Sequence, residues 1–154
     1  MLSSFNLDKI YKNSLIFLAF LIPLTVSGAN TVIVFICILW LISGDYKSKF
    51  YQITSSKIML ASIAFYLLHV IGMLWTQDIE WGLHILHKMW YFILFYPILF
   101  NIVKTENLKY CVTAFLLAIS VTEIFSYLIW FEIIPPFKYG TVQNPTPFMS
   151  HISY

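Results

Sequence analysis

Apolar residues run along this chain in blocks at 13–40, 58–75, 89–103 and 111–131, and short polar stretches between the blocks carry most of the charge. The hydrocarbon core of a bilayer is about 30 Å thick and takes about 20 residues of helix to cross. The first block, which runs on to Ile42, is too long for one ordinary crossing and short for two. Pro23 removes a backbone hydrogen bond within it, and Thr25-Val26-Ser27-Gly28-Ala29-Asn30-Thr31 is a polar, turn-prone patch. The pattern predicts two short helices near 13–26 and 30–43 joined by a tight turn. One long, kinked, tilted helix is the alternative, and it would reverse every later loop relative to the N-terminus. Gly44 suits a helix C-cap, and Lys47 and Lys49 complement the negative helix end.

A third helix is predicted over 57–75, stopping at Trp75-Thr76-Gln77-Asp78. Asp78 offers a capping carboxylate for a fourth helix, amphipathic over 81–88 and then apolar to Val103, with Pro97 expected to kink it. A fifth helix is predicted over 108–133, ended by Pro135-Pro136. Beyond it the chain is irregular until apolar character restarts at Phe148-Met149, with Ser150 as a candidate N-cap for a sixth helix. The expected fold class is all-α: a polytopic membrane helix bundle of about five transmembrane helices, the first two short. Residues 1–154 read as a single transmembrane region, the N-terminal part of a larger membrane protein truncated before a sixth helix.

Composition agrees with a lipid-facing chain. It is 60% hydrophobic and 10% charged, with mean hydropathy +0.80, where a soluble domain carries about 25% charged residues. A net charge of +2 is too small for a nucleic-acid surface, and no nucleic-acid partner is expected. The distribution of charge says more than its sum. All nine basic residues are lysine. With five crossings, Lys9, Lys12, Lys47, Lys49, Lys57, Lys104 and Lys109 fall on one side, and Lys88 and Lys138 on the other. The positive-inside bias places the first group, and the N-terminus, in the cytoplasm. Lys9 and Lys12, the apolar run 15–24 and Ser27-Gly28-Ala29 resemble a cleavable secretory signal. Because 31–42 is apolar again, cleavage would only expose another membrane segment, and an uncleaved segment is expected. Cys37 and Cys111 sit at different predicted depths, which argues against a disulfide.

Candidate chemistry gathers at the outward edge of the fourth helix. Trp81, His84 and Lys88 share a face there, and the histidine and lysine could hold a phosphate or pyrophosphate by charge-assisted hydrogen bonds. The same residues suit an interfacial helix with a snorkelling lysine and a belt tryptophan. His84-x-x-His87 lacks the further ligands a metal needs, so no metal site is expected. Within the membrane, Ser120, Glu123 and Tyr127 form one polar stripe, and Ser62, Tyr66 and His69 another. Such residues are costly in lipid and should face other helices or a wet cavity, as packing contacts or as a relay or groove. Glu123 and His69 are the ionisable members. No phosphate loop, nucleophile elbow or complete catalytic site is present, so no catalytic residue is assigned.

The order of these features resembles the O-antigen ligase family. The resemblance rests on Leu21-Ile22-Pro23-Leu24-Thr25-Val26-Ser27-Gly28-Ala29-Asn30, on Leu39-Trp40-Leu41-Ile42-Ser43-Gly44-Asp45-Tyr46-Lys47-Ser48-Lys49-Phe50, and on Gly72-Met73-Leu74-Trp75-Thr76-Gln77-Asp78 followed by Gly82-Leu83 and Lys88. The stretch from Asn144 to Tyr154 is similar to the lead-in to that family's next helix. The resemblance implies a bacterial inner-membrane glycosyltransferase of lipopolysaccharide biosynthesis. Such a transferase moves polysaccharide from an undecaprenyl-pyrophosphate carrier to lipid A-core on the periplasmic side, with no cofactor or metal. Its essential arginines lie in later regions, and this chain has no arginine, so it is expected to be inactive alone. Trp81, His84, Lys88 and Lys138 would be outward-side contacts to carrier or sugar. An O-antigen polymerase is the close alternative. A small non-enzymatic membrane partner or transporter piece is the alternative from another class.

Overall fold

A computed structural model describes residues 4–136, 141–143, 145 and 148, with the backbone alone for 4–6. Lys138 and the expected helix start at Ser150 lie outside the described residues. The described chain is helical, and no strand occurs among the described residues. It divides into two compact units, Met1–Ile36 with Lys104–Tyr154, and Cys37–Val103.

The first unit is built on α1 (Ser4–Leu21), the opening of α2 (Val26–Ile42) and α7 (Thr105–Trp130). α1 starts well before the expected position 13 and stops earlier than 26. Tyr11, Leu15 and Leu18 recur at helical spacing as its buried face, so the polar start still belongs to an amphipathic helix. Pro23 sets the end, because its ring nitrogen cannot extend the ladder, and the Thr25 N–H closes back on the Leu21 carbonyl at 2.9 Å. The polar patch begins α2 where the sequence pattern had it join two helices. Thr25 stands before the first turn, and its Oγ1 accepts from the Gly28 N–H at 3.4 Å. Thr31 returns its hydroxyl to the Ser27 carbonyl at 2.9 Å, so the polar groups serve the helix itself.

α1 and α7 run parallel. Asp8 meets Lys104 at 2.6 Å near the start of both helices, the Lys12 ammonium sits 4.3 Å from the Tyr110 ring centre, and Asn13 to Phe20 share a cleft with Ala114 and Leu117. Ala114 and Ala118 are buried on α7, and their small side chains let the two backbones approach within 8 Å. α7 ends before the expected 133 through a left-handed residue, Glu132 at φ 57°. The Ile133 N–H reaches the Leu128 carbonyl at 3.0 Å and the Glu132 N–H reaches Ile129 at 3.0 Å, the Schellman arrangement. The helix has therefore stopped before Pro135-Pro136.

The second unit holds the end of α2, α3 (Tyr46–Ser55), α4 (Lys57–Gly72), α5 (Ile79–Lys88) and α6 (Phe95–Ile102). Gly44 has φ 71° and closes α2 as expected of a C-cap glycine. The stretch beyond it, expected to be a loop, is a short helix bent by 117° from α2. Its polarity is too high for a crossing, yet Ile53 is buried and Lys49 packs on Trp40. Those contacts are non-local, and hydropathy alone does not register them. Ser56 caps α4 by accepting from the Met59 N–H at 3.4 Å, and a short 3-10 turn, Met73–Trp75, finishes it. The fourth predicted helix is two helices. Pro97 falls in the first turn of α6, where its missing N–H costs nothing, and the chain breaks upstream at 89–94. A continuous helix would have driven the proline ring against the Ile93 carbonyl. The two pieces meet at 44°. The Ser62 hydroxyl donates to the Phe92 carbonyl released by the break, at 3.1 Å.

Among the described residues, two helices are long and apolar enough to cross a membrane, Lys57–Trp75 and Thr105–Trp130. The number rises to four if each bent pair, α2 with α3 and α5 with α6, is one crossing.

Candidate functional site

The corner between α4 and α5 carries most of the residues that sequence reasoning singled out. Asp78 sits before the first turn of α5, and its Oδ1 accepts from the Trp81 N–H at 2.9 Å. That bond satisfies one of the helix's orphan donors and fixes where α5 begins. Helical spacing then places Trp81 and His84 one turn apart, with ring centres 5.5 Å apart, and Lys88 one turn further on. All three are exposed. Glu80 in the first turn and Lys88 in the last both complement the helix dipole. The face is thus an aromatic ring, an imidazole and an ammonium in a row on a rigid helix, able to offer an apolar plane and two donors to a ligand.

The opposite face of α5 packs on the end of α4. There Gly82, Ile85 and Leu86 line a cleft of about 320 Å³ with Leu68, His69, Gly72 and Thr76. Gly82 lies close against Met73, whose Sδ is 2.5 Å from where a Cβ would stand. The thioether is flexible, so a small side chain could displace it at the expense of the cleft. His69 lines the cleft with its Nδ1 2.9 Å from the Phe65 carbonyl of its own helix and its ring edge-on to Phe65 at 4.7 Å. Of the stripe Ser62, Tyr66 and His69, then, the first and last meet other elements, Ser62 at the 89–94 break and His69 at this cleft.

Glu123 is placed differently. It lies on α7, in the first unit, and is exposed together with Ser120 and Tyr127. Among the described residues none hydrogen-bonds its carboxylate. Lys138 is outside the described residues. Among the described residues no group of three or more His, Cys, Asp or Glu side chains could hold a metal ion.

A polar cluster that the sequence pattern did not mark lies at the turn from α2 to α3. The Lys49 ammonium donates to the Trp40 carbonyl at 2.8 Å and to the Ser43 hydroxyl at 2.6 Å, and stands 4.6 Å from the Trp40 ring centre. The Trp40 indole N–H donates to Asn101 Oδ1 at 3.2 Å, and Asn101 Nδ2 donates to Gln52 at 3.1 Å and to the Lys49 carbonyl at 3.4 Å. Its only advance signal is Asn101 itself, a lone amide in an apolar run. In the first unit, the Asp8 carboxylate accepting from Lys104 raises that ammonium's pKa above its ordinary value, with burial opposing and Glu106 adding to the effect.

The described residues form a helical protein with two helices, or up to four counting bent pairs, long and apolar enough to cross a membrane, and with an exposed aromatic and basic face at one helix corner. No family model, no curated protein and no solved structure matches this chain.

Proposed function

We propose that this chain is a multi-pass inner-membrane segment of an O-antigen-ligase-like transferase, one that moves polysaccharide from an undecaprenyl-pyrophosphate carrier to lipid A-core. The observation that carries the reading is the 72–88 corner. There a Gly-Met-Leu-Trp-Thr-Gln-Asp run leads into an aspartate-capped helix with Trp81, His84 and Lys88 exposed in a row. The Lys88 ammonium and the His84 N–H would donate to pyrophosphate oxygens, and the Trp81 ring would lie against sugar or isoprenoid. Lys138 would add a second outward cation. The chain has no arginine for a bidentate clamp on phosphate, so by itself it forms scaffold and one wall of the carrier groove and does not catalyse transfer.

In this proposal α1, α2, α4, the bent α5–α6 pair and α7 each cross the membrane, with the N-terminus cytoplasmic. The parallel pairing of α1 with α7 supports that count. Three crossings between them return the chain to its first direction, whereas a single kinked α1–α2 crossing leaves two and would set α7 antiparallel. Glu123, exposed on a crossing helix, then faces further protein or a wet groove.

The test is deletion of the gene in a bacterium that makes long O-chains, followed by lipopolysaccharide gels and analysis of carrier-linked glycan. Loss of O-chain from lipid A-core with long glycan retained on the carrier supports the ligase reading. Single repeats on lipid A-core would point to a polymerase, and an unchanged ladder to a non-enzymatic membrane protein. Trp81→Ala, His84→Ala and Lys88→Gln should each reduce ligation in the complementing strain; if none did, the assigned role of this face would be lost.

A further inference from the structure

Four lysines converge where α1 and α7 begin side by side. Lys9 and Lys12 from α1, and Lys104 and Lys109 from the start of α7, line an open cleft of about 620 Å³ with Asp8, Glu106, Asn107 and Tyr110. Two carboxylates against four ammoniums leave an excess of positive charge. Asp8 is engaged by Lys104 at 2.6 Å. Lys12 and Lys109 both stand over one ring, 4.3 and 5.0 Å from the centre of Tyr110. Like charges gathered on one cleft repel, and an anion bound there lowers that cost.

Two further features point the same way. Lys104 occupies the N-cap position of α7 and has no acceptor to offer, so the first-turn N–H groups take no capping bond from it. They and the helix dipole favour negative charge. Asn107, in that first turn, is 7% exposed and lines the cleft. Its own N–H reaches the Lys104 carbonyl at 2.9 Å, but among the described residues nothing hydrogen-bonds its side-chain amide. A buried amide without a partner is costly, and a ligand oxygen is the partner this position lacks.

We propose that this cleft binds a phosphate group, with Lys12, Lys109, the Asn107 amide and the opening turn of α7 as its donors. It is separate from the Trp81–Lys88 face, and neither reading depends on the other. The apolar run of α7 starts just after Tyr110, so the cleft lies where a lipid headgroup phosphate can reach it as readily as a free one.

The test uses the full chain in an uncharged detergent, titrated with inorganic phosphate, with short-chain phosphatidic acid and with short-chain phosphatidylcholine. Binding is read by calorimetry and by the rise in melting temperature. Saturable binding of phosphate and phosphatidic acid identifies a free-anion site, and binding of phosphatidic acid alone identifies a headgroup site; either supports the proposal. The double substitution Lys12→Gln/Lys109→Gln should weaken binding roughly tenfold or more, while Lys47→Gln/Lys57→Gln, the same loss of charge elsewhere, should leave it unchanged. Asn107→Asp places a carboxylate that a helix start accepts but an anion does not, and should remove binding with helix content intact by circular dichroism. No saturable binding, or equal weakening by both lysine pairs, would overturn the proposal.

Discussion

Asn101→Leu should destabilise the protein by removing the partner of a buried indole. Leucine keeps the branch at Cγ and suits the apolar run around it, so the cost falls chiefly on the hydrogen bonds. Trp40 is 7% exposed, and its N–H is paired with Asn101 Oδ1 at 3.2 Å, 61 positions away in the chain. Left without an acceptor, a buried donor of this kind costs about 1–3 kcal/mol. The bond to the Lys49 carbonyl is long at 3.4 Å, and the one to Gln52 is exposed, so water replaces both at a cost of about 0.5 kcal/mol or less. The expected loss is therefore roughly 1–3.5 kcal/mol, nearly all through the indole. Trp40→Phe removes the donor, so Asn101→Leu should cost about 0.5 kcal/mol or less in that background, a coupling of roughly 1–3 kcal/mol. The double-mutant cycle can be measured by denaturant unfolding in detergent micelles, followed by far-ultraviolet circular dichroism. An equal cost of Asn101→Leu in both backgrounds would refute the reasoning, since the loss would then not pass through Trp40.

Asp78→Ala should lower stability by about 1 kcal/mol and speed amide exchange at Trp81, whereas Asp78→Asn should retain most of the cap. Ser62→Ala leaves the Phe92 carbonyl without its donor and should cost about 1 kcal/mol in thermal unfolding; Ser62→Thr should cost less. Asp8→Asn breaks an ion pair whose partners are 49% and 58% exposed, so it should cost about 0.2–1 kcal/mol and less in high salt. Because the Lys104 pKa is raised in the folded protein, the pair's contribution is complete below about pH 10.4 and fades as pH rises through the folded value. The wild type should therefore lose stability relative to Asp8→Asn as pH rises from about 10 through the folded value, and equal slopes would argue against the pair. Reporter fusions should place the 44–56 and 104–109 segments in the cytoplasm and 76–88 on the far side; a periplasmic 44–56 would remove the two-helix reading of the first apolar block.

Helix existence was largely legible in the sequence, and several caps were too. Asp78 and Gly44 act through their own neighbours, so their positions sufficed. The turn between α1 and α2 lies earlier than the polar patch suggests, because the Thr25 and Thr31 hydroxyls bond the backbone of α2 and do not mark a loop. The break at 89–94 was displaced from Pro97 for a similar reason. A proline disturbs the turn before it, and the chain chose the geometry that puts the ring in a helix start. The Trp81, His84 and Lys88 row needed only helical spacing. Asn101 and Asn107 carried no sequence signal beyond being polar, because their roles come from residues far away in the chain.

What the sequence determined alone is what short stretches decide by summing over themselves: helices, lengths that fit a bilayer, and caps. Apolar transfer and the backbone ladder act residue by residue, so about 20 consecutive positions suffice to fix a crossing. Only the tertiary structure decided that α1 runs parallel to α7, that Asn101 holds Trp40 and Gln52 together, and that four lysines share a cleft with a buried amide that has no hydrogen-bond partner among the described residues. Those arrangements depend on which small side chains let two distant helices approach and on which polar groups are left without water. That is a property of pairs of segments, which hydropathy along one segment does not contain.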